Sequence, residues 1–129
     1  MVEVINQSNV NLKLDPNCIV KIDRSSILGN PFKMSPFKNQ ESERKRVCEK
    51  YGRYFDEIIQ RYISNQKLSK FDKAFITELY RIYLLSKDTT IYLACWCFPK
   101  KCHGYTIMDF INMRADVIFK EGLKLTQIN

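Results

Sequence analysis

Reactive side chains are concentrated in the segment 91–108, which reads IYLACWCFPKKCHGYTIM. Cys95, Cys97 and Cys102 fall within eight consecutive positions, and the chain's one histidine, His103, follows directly. The apolar residues before these cysteines predict a buried strand, and the residues after the histidine predict an amphipathic helix. A strand, a tight turn and a helix N-terminus often present backbone N–H groups and a nucleophile to an anionic ligand. The sequence therefore predicts a strand–turn–helix site near residues 91–115.

The chemistry of this segment has three interpretations. Cys95, Cys97, Cys102 and His103 supply four possible zinc ligands, but structural zinc sites usually take two pairs of ligands separated by a longer loop. We therefore expect no bound metal. Cys102 as a nucleophile with His103 as its base would make an enzyme, although a sequence neighbour rarely has the required geometry. Cys95 and Cys97 point to the same face of the strand, where free cysteines are typically small buried hydrophobic residues.

A second group of polar residues lies in the segment 23–37, DRSSILGNPFKMSPF, after a short strand predicted for residues 18–22. Its glycine, asparagine and proline residues predict an ordered loop. Arg24 could hold a phosphate with its forked guanidinium group, or it could form a surface ion pair. Loops that follow strands of an open α/β sheet converge at the carboxyl ends of the strands. We therefore expect this loop to face the motif at 95–104.

Hydrophobic spacing predicts the elements that position these two segments. Alternating apolar residues predict a first strand within residues 2–14. Apolar residues at intervals of three and four predict a helix over about 41–64, followed by a second helix with Ser69 as its cap. A third strand is predicted at 91–96, and a last helix starts near His103.

The length of 129 residues is enough for one domain with a core, and no break in composition indicates a second. We expect a small single-domain α/β sandwich over residues 1–121, with a short central sheet flanked by helices, and a tail over 122–129. No apolar run is long enough to cross a membrane, and the N-terminus lacks the features of a signal peptide. Five cysteines, three of them clustered, indicate reduced thiols rather than a secreted disulfide framework. These features predict a cytoplasmic protein.

The formal net charge of +7 favours an anionic partner such as a nucleotide, a nucleic acid or an acidic protein. Basic residues of the first long helix, from Arg44 to Arg53, alternate with glutamates and are interpreted as a solvent-exposed face. None of the familiar nucleic-acid motifs occurs in the sequence, so nucleic acid is possible but not favoured. A homo-oligomer is also possible.

The motifs DRSSILGNPF at 23–32 and CWCFPKKCHG at 95–104 together resemble a domain-of-unknown-function family of bacteria and phages. Its members pair an Arg-x-Ser-x-x-Gly-Asn-Pro-Phe loop with a C-terminal Cys-Trp-Cys-x-Pro-x-x-Cys-His-Gly motif. The similarity covers most of residues 10–112 and implies an α/β domain, but it brings no settled activity. Many members continue the second motif with Asp, where this chain has Tyr105. A phage protein of this kind would act in the host cytoplasm, where sequestering or cleaving a nucleotide signal would be an anti-defence function.

The predicted function is the binding, and possible sequestration, of a nucleotide or other phosphorylated small molecule in a cleft between the two motifs. One alternative is an enzyme that acts on a nucleotide or nucleoside, with Cys102 and His103 as the catalytic residues. The other is a zinc-stabilised interaction domain; no cofactor is predicted. The candidate ligand-binding residues are Arg24, Ser25, Ser26, Gly29, Asn30, Lys101, Gly104 and Tyr105.

Overall fold

The computed structural model describes residues 1–9 and 14–120. These residues form three strands and three helices in the order β–β–α–α–β–α, which confirms the predicted α/β class. A helical segment over 115–120 follows the last of these helices. The elements are strands β1 (Val2–Asn6), β2 (Ile19–Lys21) and β3 (Ile91–Cys95), and helices α1 (Gln40–Ile63), α2 (Lys70–Ser86) and α3 (Gly104–Met113).

The sheet is parallel and has the strand order β1–β3–β2. Strand β3 is central, and its Leu93 pairs with Val4 on one side and with Val20 on the other. Four of the five residues of β3 are buried, which agrees with its almost continuous apolar sequence. Because all three strands run in the same direction, their carboxyl ends lie at one edge of the sheet, and the chain leaves that edge toward both predicted motifs.

Side-chain caps define where the two long helices begin. Asn39 precedes α1 and Ser69 precedes α2, and in each case the side-chain oxygen accepts the backbone N–H three residues further on at 3.0 Å. Such caps satisfy a donor that the first helical turn leaves without an intrahelical partner. Asn39 therefore fixes the point at which α1 begins, after the loop that follows β2.

The hydrophobic core is formed where the helices meet the sheet. Phe55 of α1 lies at its centre, with its ring 5.5 Å from that of Phe75 on α2 and 5.2 Å from that of Phe110 on α3. All three rings are almost completely buried. Edge-to-face aromatic pairs of this kind contribute about 0.5–1.5 kcal/mol beyond the burial of their area. The cluster therefore holds the three helices in fixed positions relative to one another.

The first strand is shorter than predicted. It ends at Asn6, whose side-chain oxygen accepts the Ser8 backbone N–H at 2.8 Å and so turns the chain into a single 3₁₀ turn. The prediction that this strand continues through Val10 and Leu12 falls on residues outside the described ranges, as does the predicted tail at 122–129. Within the described part of the chain, no helix has both the length and the apolar character needed to cross a membrane.

Candidate functional site

A cavity of about 440 Å³ lies at the carboxyl ends of β2 and β3. The loop after β2, the turn after β3 and the first half of α1 form its walls. The two predicted motifs therefore face each other across one space. Of the residues predicted to contact a ligand or to act in catalysis, those that line the cavity are Arg24, Ser25, Asn30, Lys101, Cys102 and His103. Ser26, Gly29, Gly104 and Tyr105 do not line it.

Asp23 organises the start of the loop. Its carboxylate accepts the backbone N–H of Ser25 at 3.0 Å and also the Ser25 hydroxyl, and the Ser25 hydroxyl lowers the pKa of Asp23. The carbonyl oxygen of Asp23 accepts both the N–H and the hydroxyl of Ser26 at 3.0 Å. Both serine hydroxyls thus stabilise the turn, and Ser26 is directed into the loop rather than into the cavity.

Gly29 allows the loop to fold back on its own beginning. Its N–H donates to the carbonyl of Ser26 at 3.1 Å. A Cβ atom at this position would overlap the carbonyl oxygen of Asp23 and would lie 2.8 Å from the Cα atom of Arg24. Any side chain here would push the two halves of the loop apart. Gly29 therefore holds Arg24 in place without touching a ligand itself.

Two hydrogen bonds fasten the loop to α1. The Asn30 side-chain amide donates to the carbonyl of Val47 at 3.2 Å, and its oxygen accepts the N–H of Phe32 at 2.9 Å. The buried hydroxyl of Tyr51 donates to the carbonyl of Leu28 at 2.8 Å. Satisfied buried hydrogen bonds of this kind specify one conformation. Asn30 lines the cavity, but its amide is already used to position the loop.

Three cationic side chains lie on the cavity wall: Arg24, Arg44 and Lys101. None of the ion pairs found among the described residues includes any of them. The Nε atom of Arg44 is buried and has no hydrogen-bond partner within that part of the chain. Among the described residues, Asp23 is the only acidic side chain of the lining. The cavity is therefore positively charged and offers unused donors to an anion.

Arg44 is the residue that the sequence interpretation missed, because it was assigned to a solvent-exposed face of the helix. It is only partly exposed, and it lies three residues before Val47 and seven before Tyr51, both buried on the apolar face of α1. The helical period therefore places Arg44 beside that face and against the loop. This spacing was the signal that could have identified it.

His103 connects the start of α3 to the end of β2. Its Nε2 atom lies 2.6 Å from the carbonyl oxygen of Ile22, so the neutral ring carries its proton on Nε2 and keeps Nδ1 as an acceptor. The imidazole is 7% exposed and packs edge-on against Tyr51 at 4.9 Å between ring centroids. Burial lowers the pKa of His103, while the Ile22 carbonyl and Asp23 act in the opposite direction.

Cys102 does not pair with its neighbour His103. Its Sγ atom lies 3.2 Å from that of Cys95, and both thiols are buried at the cavity wall. The hydrogen bond with Cys95, followed by burial, raises the pKa of Cys102. The same hydrogen bond lowers the pKa of Cys95 to about 6, assisted by the backbone N–H groups of Phe98 and Cys97 and opposed by burial. The arrangement is a thiol pair rather than a cysteine–histidine dyad.

Gly104 and Tyr105 begin α3 but do not line the cavity. A Cβ atom at Gly104 would lie 2.9 Å from the side chain of Ile22 and 3.2 Å from that of Val4, so the absent side chain lets the helix pack closely on the sheet. The N–H of Tyr105 donates to the Cys102 carbonyl at 3.3 Å. The structure therefore does not bring these two residues to the predicted ligand site.

The remaining lining supplies apolar surface and no cluster of metal ligands. Phe32, Met34 and Val47 form part of the wall, and the indole of Trp96, which is 63% exposed, lies at its rim. Among residues 1–9 and 14–120, no three or more His, Cys, Asp or Glu side chains come together as a metal site. The cavity thus combines cationic and aromatic groups, which suit a ligand with an anionic end and a flat apolar end.

Comparison with known proteins places most of the chain in one family. The family model described as Domain of unknown function (DUF4326) matches residues 5–113, which include the loop, the cysteine motif and all of α1 and α2. No curated protein and no solved structure matches the chain.

Proposed function

The chain belongs to the DUF4326 family, and we propose that its cavity binds a nucleotide or a similar phosphorylated small molecule. The observation that carries this proposal is the set of three cationic side chains beside an aromatic wall in one cavity of about 440 Å³. Cavities that hold small ligands typically measure about 300–1,000 Å³, so the space is of the required size.

Arg24, Arg44 and Lys101 are the proposed phosphate contacts. A guanidinium group can donate two parallel hydrogen bonds to phosphate oxygens, and a lysine adds a point charge. Arg44 supports this assignment most directly, because its buried Nε atom has no hydrogen-bond partner in the described part of the chain. A buried donor without a partner is costly, and a bound phosphate oxygen would remove that cost.

Phe32 and Trp96 are the proposed contacts of the base. Both line the cavity, and Trp96 is exposed enough to stack on a planar ring. Stacking of a base on an aromatic side chain contributes about 1–3 kcal/mol. The neutral His103, with Nδ1 as an acceptor, suits a ribose hydroxyl or a base N–H better than a phosphate.

A second groove extends the cationic surface beyond the cavity. It measures about 450 Å³, shares Arg44 and Lys101 with the cavity, and adds Lys45 and Lys100. Although Glu41 also lines the groove, its four cationic residues give the lining a net positive charge. Further phosphates of a ligand held at Arg44 would reach these lysines. We therefore expect a nucleoside triphosphate to bind more tightly than the matching monophosphate.

Binding or sequestration agrees better with this geometry than either alternative. Two observations argue against catalysis by Cys102 and His103. The Cys102 thiol is buried and its pKa is raised, and Nε2 of the His103 imidazole is already hydrogen-bonded to Ile22. For zinc, the described residues offer no cluster of ligands. We propose that the protein acts in the cytoplasm of a bacterium. If a phage encodes it, its role would be to capture a nucleotide signal of the host.

Isothermal titration calorimetry of wild-type protein and the Arg24→Ala variant tests the proposal, with AMP, ATP, GMP, GTP and adenosine as probes. Arg24 is exposed and outside the ion pairs described above, so the variant should fold normally. Loss of a charge-assisted hydrogen bond of about 1.5–3 kcal/mol predicts an affinity reduced about tenfold to a hundredfold. Adenosine should bind more weakly than either phosphorylated form.

Arg53→Ala is the matched control, because it removes the same charge from an exposed position on α1 that does not line the cavity. It should leave the affinity nearly unchanged. The proposal is wrong if Arg24→Ala keeps full affinity for every nucleotide, or if none of the four nucleotides binds at millimolar concentration.

A further inference from the structure

We infer that Cys95 and Cys102 form a redox-active pair, which hydrogen peroxide or another small hydroperoxide oxidises to an intramolecular disulfide. This inference is independent of the proposed nucleotide binding, because it depends on the two sulfur atoms alone. The Sγ atoms lie 3.2 Å apart, and a disulfide bond measures about 2.05 Å, so closure requires the sulfurs to approach by only about 1 Å.

Cys95 belongs to the central strand, and Cys102 is buried just before the first residue of α3. Cys95 is the last residue of the central strand β3, where it pairs with Asn6 of β1. Cys102 lies two residues before Gly104, the close-packed first residue of α3. The two thiols are therefore held together by the fold rather than by a chance meeting of mobile loops.

The other cysteines of the chain lack such a partner among the described residues. The sulfur of Cys18 contacts the hydroxyl of Thr89 at 3.8 Å, and that of Cys48 contacts the carbonyl of Lys101 at 3.7 Å. Cys97 is exposed. Within the described residues, the contact between Cys95 and Cys102 is the one hydrogen bond that joins two thiols.

The burial of Cys95 and Cys102 limits which oxidants can reach their sulfur atoms. Cys95 and Cys102 are only 1% and 3% exposed, yet both line the cavity. A protein disulfide could not reach sulfur atoms at this depth, whereas hydrogen peroxide is little larger than water. The hydrogen bond with Cys102 and the backbone N–H groups of Phe98 and Cys97 lower the pKa of Cys95, which favours its reactive thiolate.

The reaction has two balanced steps. The Cys95 thiolate attacks one oxygen of hydrogen peroxide, the O–O bond breaks, and hydroxide leaves to be protonated to water, so that Cys95 becomes a sulfenic acid. The sulfur of Cys102 then attacks the Cys95 sulfur, the S–O bond breaks, and the hydroxyl group leaves as water with the Cys102 proton. Overall, the two thiols lose two protons and two electrons, and the peroxide takes up both and is reduced to two waters.

The disulfide would connect the end of β3 to the start of α3 across the turn that contains Trp96 and Lys101, two residues of the cavity lining. It would also convert two thiols of the cavity wall into one disulfide. A resolving thiol this close protects Cys95 from further oxidation to sulfinic acid.

The test is mass spectrometry of the full-length reduced protein after brief treatment with hydrogen peroxide, alkylation under denaturing conditions and proteolysis. The expected result is a mass lower by two hydrogens before alkylation, a fall from five alkylated thiols to three, and a peptide pair that joins Cys95 to Cys102. Dithiothreitol should restore all five thiols. The peptide map is obtained on the wild-type protein, so it does not depend on the folding of a variant.

Cys97→Ser and Cys18→Ser are the matched controls and should still form the disulfide, whereas Cys102→Ser should stop at a Cys95 sulfenic acid that a dimedone reagent labels. The inference is overturned if all five wild-type thiols remain alkylatable. It is also overturned if the recovered pair contains Cys97 in place of Cys95 or Cys102.

Discussion

At the scale of single residues, the contacts of His103 fix the position and the protonation of its ring. Its Nε2 atom bonds to the carbonyl of Ile22 at 2.6 Å, and Tyr51 packs against the imidazole. Burial lowers the pKa of His103 and so favours the neutral ring, and the bond from Nε2 to Ile22 leaves Nδ1 as the acceptor. His103 therefore links β2 to the start of α3, while the Cys102 thiol contacts Cys95.

The depressed pKa of His103 predicts how stability depends on pH. Burial lowers the pKa in the folded protein, so below a pH of about 6.5 the unfolded chain takes up a proton that the folded chain does not. The free energy of unfolding should then fall as the pH is lowered from 7.5 to 5.5, by at most about 1.4 kcal/mol per pH unit from this one group.

Urea unfolding of wild-type protein and a His103→Gln variant across this range is the measurement. Since His103 is the chain's only histidine, the variant should show a smaller loss of stability on acidification. Equal losses in the two proteins would show that His103 does not titrate differently in the folded and unfolded states.

At the scale of elements, the loop over 23–32 is held by backbone packing as much as by side chains. The Cβ atom that Gly29 lacks would overlap the Asp23 carbonyl oxygen. We expect Gly29→Ala to destabilise the protein by about 1–3 kcal/mol, since forced overlap in a packed region costs energy of this size. Urea unfolding monitored by circular dichroism measures the effect.

Gly52→Ala is the matched control for this prediction. A Cβ atom at Gly52 meets nothing within 4 Å, and the residue lies in the middle of α1. Because alanine is favoured over glycine in a helix interior by about 1 kcal/mol, this variant should be more stable than the wild type. If the Gly29→Ala variant were as stable as the Gly52→Ala variant, the loop would not depend on the close approach of Gly29 to the Asp23 carbonyl.

The sequence predicts the elements well where hydrophobic spacing dominates and less well where one polar side chain decides. The period of apolar residues placed α1 within a residue of its observed bounds, and the apolar run placed the start of β3 correctly and its end within one residue. The end of β1 was missed because Asn6 turns the chain through its own side-chain hydrogen bonds. Such local competition with the strand is not visible in a hydrophobic pattern.

At the scale of the whole molecule, the order β1–β3–β2 brings together two motifs that lie about 70 residues apart in the sequence. The α/β class and the resemblance to a family of unknown function are confirmed, the latter by the match over residues 5–113. The sequence could not show which polar groups the fold itself uses. The side chains of Asn30, Ser25 and Ser26 form hydrogen bonds within the loop or to α1, whereas Arg44, interpreted as solvent-exposed, lines the cavity with an Nε donor that has no partner among the described residues.

A second cavity of about 410 Å³, lined by residues that include Tyr83, Lys87, Asn112 and Asp116, provides an internal reference for ligand binding. Its size is similar to that of the proposed site, but its lining includes neither the loop after β2 nor the cysteine motif. A ligand that bound to any cavity of this size would shift the NMR signals of residues around both cavities.

The most direct measurement is therefore a two-dimensional ¹⁵N–¹H NMR titration of the wild-type protein with ATP. The account predicts saturable shifts of the backbone N–H signals of Arg24, Arg44, Lys101 and His103, and no comparable shifts around Tyr83 and Asn112. Shifts centred on the second cavity, or none up to millimolar ATP and GTP, would contradict nucleotide binding between the two motifs.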